Sequence, residues 1–167
     1  NVNGPIPDNW FADRTELARM NQRKMRALGM TPILQGYSGM VPNSIAEKDS
    51  NVEVIPQGLW NGMQRPAMLK TNTPTYQNYA EMFYQAQEEV YGKISNYYAT
   101  DPFHEGGQTG GIGRDVVGRK VLDEMKNYDE NAIWVIQSWS FQPALLSKIT
   151  SEEKSNNILL LDLNASK

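Results

Sequence analysis

Helical patterns and short apolar runs alternate along this chain, and the junctions between them narrow the possible folds more than any other feature. Gly29 and Gly92 each end a helical pattern, and a strand-like run follows each glycine within a few residues. The segments after the strands are longer and more polar. This asymmetry is typical of parallel sheets that carry functional groups at the carboxyl ends of their strands. We therefore predict an α/β fold, in which 167 residues bury roughly 70% of their surface in one core.

Four helices and four strands account for most of the pattern. The first helix is expected to begin at the capping-box spacing of Asp13 and Glu16. The predicted helices span residues 13–29, 73–92, 115–127 and 144–149. The predicted strands span residues 31–37, 97–103, 132–139 and 158–163, and their almost continuous apolarity favours a parallel sheet. Residues 1–10 and 38–72 are expected to be loops, and a loop as long as the second is usually functional.

Composition excludes several classes of protein. Sixteen Lys and Arg against nineteen Asp and Glu leave a net charge of −3, which does not favour a nucleic-acid partner. The absence of cysteine excludes disulfides and thiolate zinc sites, and a single histidine excludes a histidine-rich metal cage. No apolar run is long enough to cross a bilayer. The abrupt start and end lead us to expect a piece of a longer protein.

Polar and aromatic side chains follow the predicted strands, where a parallel fold would bring them together. Two more residues in the 38–72 segment, Trp60 and Gln64, could join them. Acids, amides and indoles together suit a sugar, because its hydroxyls need directional partners and its C–H face packs on aromatic rings. The candidates at the strand ends are Gln35, Tyr37, Asp101, His104, Glu105, Gln137, Trp139, Asp162 and Asn164.

Glu105 is the strongest catalytic candidate. It follows a strand and precedes two glycines, so a ligand could approach it closely, and partial burial would raise its pKa towards that of a general acid. The alternatives are an exposed loop glutamate, with His104 as a structural neighbour, or a divalent-metal site formed by Asp101, Glu105 and Asp162. The glycines of residues 106–113 superficially resemble a phosphate loop but lack its spacing and its Lys-Ser/Thr ending.

Six sequence words make the chain similar to the α-N-acetylglucosaminidase family, glycoside hydrolase family 89. They are collinear and span almost all 167 residues. The absence of cysteine near residues 58–66 favours the bacterial branch. The words are Gly4-Pro-Ile-Pro-Asp-Asn-Trp10, Leu28-Gly-Met-Thr-Pro32, Gln35-Gly-Tyr-Ser-Gly-Met-Val-Pro42, Tyr98-Ala-Thr-Asp-Pro-Phe-His-Glu105, Trp134-Val-Ile-Gln137 and Leu160-Leu-Asp-Leu163.

The resemblance implies part of a (β/α)₈ TIM-type catalytic barrel, comprising its third to sixth strands and truncated at both ends. It implies retaining hydrolysis of terminal, non-reducing α-linked N-acetylglucosamine, without a cofactor or metal. Glu105 would be the general acid/base, and His104, Trp60 and Trp139 would line the sugar pocket, with Tyr37 and Gln137 as further substrate-binding candidates. An extracellular or cell-surface bacterial location follows from the family alone.

The second carboxylate is not settled by these residues. Spacing alone nominates Asp162, whereas the resemblance implies a glutamate on a later strand, beyond Lys167. Many relatives also have glutamate where this chain has Ser166. The segment is therefore expected to need the rest of its own barrel as a partner and to be inactive alone. A non-catalytic carbohydrate-binding remnant of the same fold is the alternative.

Overall fold

The computed structural model describes residues 5–103, 106–138, 143–150 and 156–162, and in them it has five helices and nine strands. The helices are α1 (Asp8–Ala27), α2 (Ile45–Lys48), α3 (Pro74–Tyr91), α4 (Arg114–Tyr128) and α5 (Pro143–Ile149). The strands are β1 (Leu34–Gln35), β2 (Met40–Val41), β3 (Val54–Ile55), β4 (Leu59–Trp60), β5 (Met63–Gln64), β6 (Ala67–Leu69), β7 (Tyr97–Ala99), β8 (Ile133–Gln137) and β9 (Ile158–Leu161).

The central sheet has four strands in the order β1-β7-β8-β9, and all three neighbouring pairs are parallel. Gln35 pairs with Ala99, which pairs with Val135. The strand order follows the chain, with a helix between successive strands. The predicted α/β class and parallel sheet are therefore confirmed, although each strand is shorter than its apolar run because the outer residues bend into the loops.

The helices α3, α4 and α5 pack on one face of this sheet. Tyr98, Trp134 and Ile136 belong to one buried cluster with Tyr84 of α3 and other residues of α4 and α5. Side chains alternate across a strand, so Ala99, Val135 and Gln137 point to the opposite face. A doubly wound sheet carries helices on both faces and reverses its strand order, whereas a βα barrel does neither. The described segment follows the barrel arrangement.

Local signals account for the limits of α3. Thr73 is the N-cap, and its hydroxyl accepts the Tyr76 N–H at 3.3 Å while donating to the Lys70 carbonyl at 2.7 Å. Pro74 occupies the first turn, where its missing N–H costs nothing. At the other end Gly92 takes a φ of 77°, a conformation that favours glycine. These limits agree with the predicted helix.

The predicted start of α1 at Asp13 is wrong, because the helix begins at Asp8. Pro7 has an extended conformation with ψ 144° and fixes the entry of the chain, while Asp8 places a negative charge at the positive end of the helix dipole. Asp13 and Glu16 therefore lie inside the helix rather than at its cap. No residue of α1 is buried, and Phe11 and Met20 are more than half exposed.

Residues 38–72 are not an irregular loop as predicted. They form an antiparallel sheet in the order β2-β6-β3 and a separate β4-β5 hairpin. The hairpin turns at Asn61 and Gly62, whose φ values are 48° and 77°, as a type I′ turn requires. The strands are only two or three residues long, too short for an alternating pattern. We call the β2-β6-β3 sheet the small sheet.

Candidate active site

Polar side chains gather at the carboxyl ends of the parallel strands, as the sequence predicts. Ala99 of β7 pairs with Val135 of β8, so two residues further along each strand Asp101 lies level with Gln137. Gln137 in turn pairs with Leu161 of β9. Asp162 follows directly and accepts a hydrogen bond from the Ser138 hydroxyl at 3.4 Å. Neighbouring strands therefore present a carboxylate or an amide at the same edge of the sheet.

The chain leaves β7 through a tightly held turn. The Asp101 carboxylate accepts the Phe103 N–H at 2.9 Å, the hydrogen bond of an Asx turn. Phe103 is buried, and the Arg114 guanidinium lies over its ring at 5.5 Å. The second carboxylate oxygen of Asp101 is buried and has no hydrogen-bond partner in the described part of the chain. His104 and Glu105, which follow this turn, lie outside the described residues.

The chain after Glu105 runs beside the 38–72 segment. Gly106 has a φ of 68°, and a Cβ placed there would lie 3.8 Å from both terminal nitrogens of Arg65. Arg65 follows β5, and its N–H donates to the Gly58 carbonyl across the base of the hairpin at 3.0 Å. The β4-β5 hairpin therefore borders the residue that comes directly after Glu105, and it brings a positive charge there.

Trp60 lies on this hairpin, where it pairs with Met63. Its side chain is about half exposed, at 47%. An exposed indole is available to pack against an apolar ligand face, so the structure leaves Trp60 accessible in the segment that borders Gly106. Its role as a sugar contact stays a prediction. Trp139 lies outside the described residues.

Tyr37 lies in an aromatic stack under α3 rather than on an open surface. Its ring stacks on Tyr76 and Phe83, with centroids 5.8 and 5.1 Å away. Its N–H donates to the Tyr84 hydroxyl at 3.0 Å. Burial, with a smaller contribution from Tyr79, raises the pKa of Tyr37 above its ordinary value, so this phenol is neutral at physiological pH. Tyr37 as a substrate contact stays a prediction.

Gln137 ends β8 with an exposed side chain on the face opposite the helices. In a barrel this face is the interior, and the last residue of a strand borders the mouth. This position is compatible with the predicted substrate contact of Gln137, which stays a prediction.

Sequence reasoning missed Gln57 entirely. This side chain is only 4% exposed and hydrogen-bonds both backbone groups of Gln108. Nothing in the word Pro56-Gln57-Gly58 distinguishes a buried amide from a solvated one. By contrast, Asn61-Gly62 is a strong hairpin signal that could have identified β4 and β5.

The glycine-rich run after Glu105 packs against protein. Gly110 has a φ of 62°, and a Cβ there would lie 2.8 Å from the Ile55 Cδ1 atom. Close approach to β3 accounts for this glycine. Among the described residues, no three His, Cys, Asp or Glu side chains cluster as a metal ion would require. No helix in the same ranges is both long and apolar enough to span a membrane.

These observations define a class of protein. A parallel sheet in chain order, with helices on one face and polar groups at the carboxyl strand ends, is a segment of a TIM-type βα barrel whose site lies at those ends. The family model for the α-N-acetylglucosaminidase TIM-barrel domain matches residues 1–167. The chain belongs to this family.

Individual relatives agree with this membership. Human α-N-acetylglucosaminidase is 25% identical over 175 residues, covering 97% of this chain and 23% of the human protein. A Clostridium perfringens family 89 enzyme, carrying two glutamate-to-glutamine substitutions and bound to its substrate GlcNAc-α-1,4-galactose, superposes with a TM-score of 0.88 at 40% identity. That comparison covers 96% of this chain and 18% of the Clostridium chain.

A second structure from the same organism agrees with this comparison. The Clostridium perfringens family 89 glycoside hydrolase with 2-acetamido-1,2-dideoxynojirmycin has a TM-score of 0.87 at 40% identity. The comparison covers 19% of the length of that Clostridium chain. The chain therefore spans about a fifth of each of these relatives.

Proposed function

We propose that this segment belongs to a retaining α-N-acetylglucosaminidase that hydrolyses terminal, non-reducing α-linked N-acetylglucosamine. The observation that carries the proposal is the superposition, at 40% identity, on a Clostridium perfringens enzyme bound to its substrate GlcNAc-α-1,4-galactose. The family match over all 167 residues supports it. We treat the chain as one segment of a single catalytic barrel, comprising its third to sixth strands.

Glu105 is the proposed general acid/base. It protonates the glycosidic oxygen while a second carboxylate attacks the anomeric carbon, so that the C–O bond breaks and a glycosyl-enzyme ester forms. Glu105 then removes a proton from the water that hydrolyses the ester. Its support is its place in the sequence, between the anchored Phe103 and Gly106 at the carboxyl end of β7.

The nucleophile is proposed to be a glutamate downstream of this chain. Retaining enzymes place their two carboxyl groups about 5 to 5.5 Å apart. The Clostridium substrate complex carries two substituted glutamates, which agrees with a pair of catalytic glutamates in that relative. Asp162, which spacing nominated, accepts a hydrogen bond from the Ser138 hydroxyl and is the alternative candidate.

The proposed sugar pocket combines His104, Trp60 and Trp139 with Tyr37 and Gln137. The exposed indole of Trp60 offers a flat surface for the C–H face of the sugar. The exposed side chain of Gln137 lies at the end of β8, at the edge of the sheet where the pocket is proposed. The buried ring of Tyr37 would act through the shape of the wall below the pocket.

The test of Glu105 compares two substrates in the native-length protein. Glu105→Gln should lower the hydrolysis rate of an α-N-acetylglucosaminide with a poor leaving group by about 10² to 10⁴. An activated aryl glycoside needs little protonation, so its glycosylation step should be affected much less. Glu130→Gln, an exposed glutamate before the amino end of β8, is the matched control and should retain activity.

The remaining outcomes separate the alternatives. Equal rates in wild type and Glu105→Gln would remove Glu105 from the mechanism. Binding of the glycan without turnover in either protein would favour a carbohydrate-binding remnant. Activity lost on chelation and restored by a divalent cation would favour the metal-dependent hydrolase that uses Asp101, Glu105 and Asp162.

We further propose an extracellular or cell-surface bacterial location and a role in glycan degradation. The higher identity to the bacterial enzyme (40%) than to the human one (25%) supports a bacterial source. Treating intact cells with a protease that cannot enter them tests the location. Loss of the native-length protein from intact cells is the expected result, and full protection would contradict it.

A further inference from the structure

We propose that Gln57 is a positioning residue for the acid/base Glu105, because its buried side-chain amide holds both backbone groups of Gln108 in the chain that follows Glu105. This inference rests on the proposed function. It assigns a catalytic purpose to the small sheet and its connection to β4, which lie outside the βα units of the barrel.

The contacts of Gln57 form a two-way clamp. Its Nε2 donates to the Gln108 carbonyl at 3.0 Å, and its Oε1 accepts the Gln108 N–H at 2.8 Å. Nε2 also donates to the Ile55 carbonyl at 3.2 Å. Both amide hydrogens and the amide oxygen are therefore used, and the side chain is only 4% exposed. A fully satisfied buried amide fixes its partners, because losing any one bond leaves a polar group unpaired.

Gln57 lies two residues after the end of β3, a strand of the small sheet, and is held in place by that sheet. Ile55 belongs to β3 and pairs with Met68, the middle residue of β6. Gly110, two residues beyond Gln108, packs so closely on Ile55 that a Cβ at this position would lie 2.8 Å from the Ile55 Cδ1 atom and would require the Ile55 side chain to shift. The chain after Glu105 thus meets the small sheet through the clamp and through this close contact.

The chain before Glu105 has its own anchor. Phe103 is fixed by the Asp101 carboxylate at 2.9 Å and by the Arg114 guanidinium over its ring. Glu105 therefore lies two residues after one fixed backbone position and three residues before another. A catalytic acid must stay within a fraction of an ångström of its productive position, and the two anchors fix the described chain on either side of Glu105.

The test uses Gln57→Met in the native-length enzyme, since methionine keeps the length of the side chain and removes its hydrogen bonds. We expect kcat for a poor leaving group to fall by about 10²-fold, the typical cost of a misplaced catalytic group. The kcat/KM of the activated aryl glycoside, which reports the glycosylation step alone, should lose less than about tenfold, because protonation limits that step little. Asn157→Leu is the matched control, since its amide donates to the Ala132 carbonyl at 3.0 Å at the opposite end of the sheet. It should reduce both rates equally or not at all.

Combining Gln57→Met with Glu105→Gln distinguishes positioning from simple stabilisation. If Gln57 acts through Glu105, the double variant should be no slower than Glu105→Gln alone. Equal losses on both substrates, or a full additional loss in the double variant, would overturn the inference while leaving Glu105 assigned. Lack of a selective loss in Glu105→Gln itself would overturn the proposed function and this inference with it.

A folding defect in Gln57→Met would not end the test. Gln57→Asn keeps a neutral amide that is one methylene shorter, so it cannot reproduce the paired hydrogen bonds to Gln108, and it is assayed by the same pair of substrates. We expect the same selectivity for the poor leaving group, with a smaller loss. A Gln57→Asn enzyme with wild-type selectivity would contradict the proposed positioning role.

Discussion

At the scale of single residues, Gly110 shows how the chain after Glu105 is fitted to the small sheet. Its backbone is left-handed, with a φ of 62°, and its Cα faces two carbon atoms of Ile55 that a Cβ would approach to 2.8 and 2.9 Å. Neighbouring Gly111 also has a left-handed φ, 82°, but a Cβ there meets nothing within 4 Å. Both positions share the left-handed backbone, and only Gly110 also lacks space for a side chain. Comparing substitutions at the two positions therefore distinguishes the cost of backbone strain from the cost of a steric clash.

Gly110→Ala should destabilise the protein more than Gly111→Ala. Both variants carry the cost of a left-handed alanine, about 1 kcal/mol, and only Gly110→Ala adds overpacking against Ile55, about another 1 to 3 kcal/mol. Denaturation midpoints of the native-length protein measure the difference. Equal midpoints for the two variants would show that Ile55 moves aside without cost.

The residues of the site differ in how far the sequence predicts them. Asp101 and Gln137 are placed at the strand ends by pattern alone, because the ends of parallel strands lie at one edge of the sheet. Local pattern does not predict the position of the Gln57 side chain, because its burial depends on Gln108, 51 positions further along the chain. Tyr37 follows a strand as expected, yet its ring is directed into the aromatic stack by Tyr76 and Phe83 of α3.

At the scale of elements, helices were predicted better than the small strands. Repeated apolar spacing and a cap define α3 and α4, because each turn repeats the same signal. The strands β2 to β6 have two or three residues each, so their pairing comes from tertiary contacts that local patterns do not contain. The start of α1 was missed because Pro7 and Asp8 form a boundary without a capping side chain.

The tyrosines that α3 and α4 contribute to the core make the fold sensitive to alkaline pH. Tyr84 stacks on Tyr128 at 5.0 Å and meets the edge of Tyr98 at 5.4 Å. Burial raises the pKa of Tyr84 above its ordinary value, Tyr98 and Glu124 raise it further, and the hydrogen bond from Tyr37 opposes the shift. Burial likewise raises the pKa of Tyr98, to about 12.

We expect the free energy of unfolding to fall above about pH 10, the pKa of an unfolded tyrosine. Below that pH the phenols are neutral in both states, so they add no pH dependence. Above it only the unfolded state ionises, which costs about 1.4 kcal/mol per pH unit for each shifted tyrosine. Tyr84→Phe should remove one such contribution from the slope in alkaline denaturation of the native-length protein, and an unchanged slope would contradict the assignment.

At the scale of the whole molecule, the described sheet has open sides. β1 and β9 are its outer strands, and Leu159 and Leu160 of β9 are 40% and 43% exposed. Phe11 and Met20 of α1 are also uncovered. Outer strands with apolar side chains pair readily with other chains. Since the chain spans about a fifth of its relatives, these surfaces are where we expect the rest of the barrel to pack.

The 167-residue polypeptide, prepared alone, should therefore self-associate. We expect its sedimentation mass to rise with concentration, and Leu160→Lys to weaken association by about tenfold, equivalent to about 1.4 kcal/mol, because lysine on an outer strand opposes pairing. Met82→Lys places the same charge on the exposed side of α3 and should leave association unchanged. A monomer at every concentration would show that β9 does not recruit a partner strand, and equal effects of the two lysines would assign any weakening to net charge rather than to the strand.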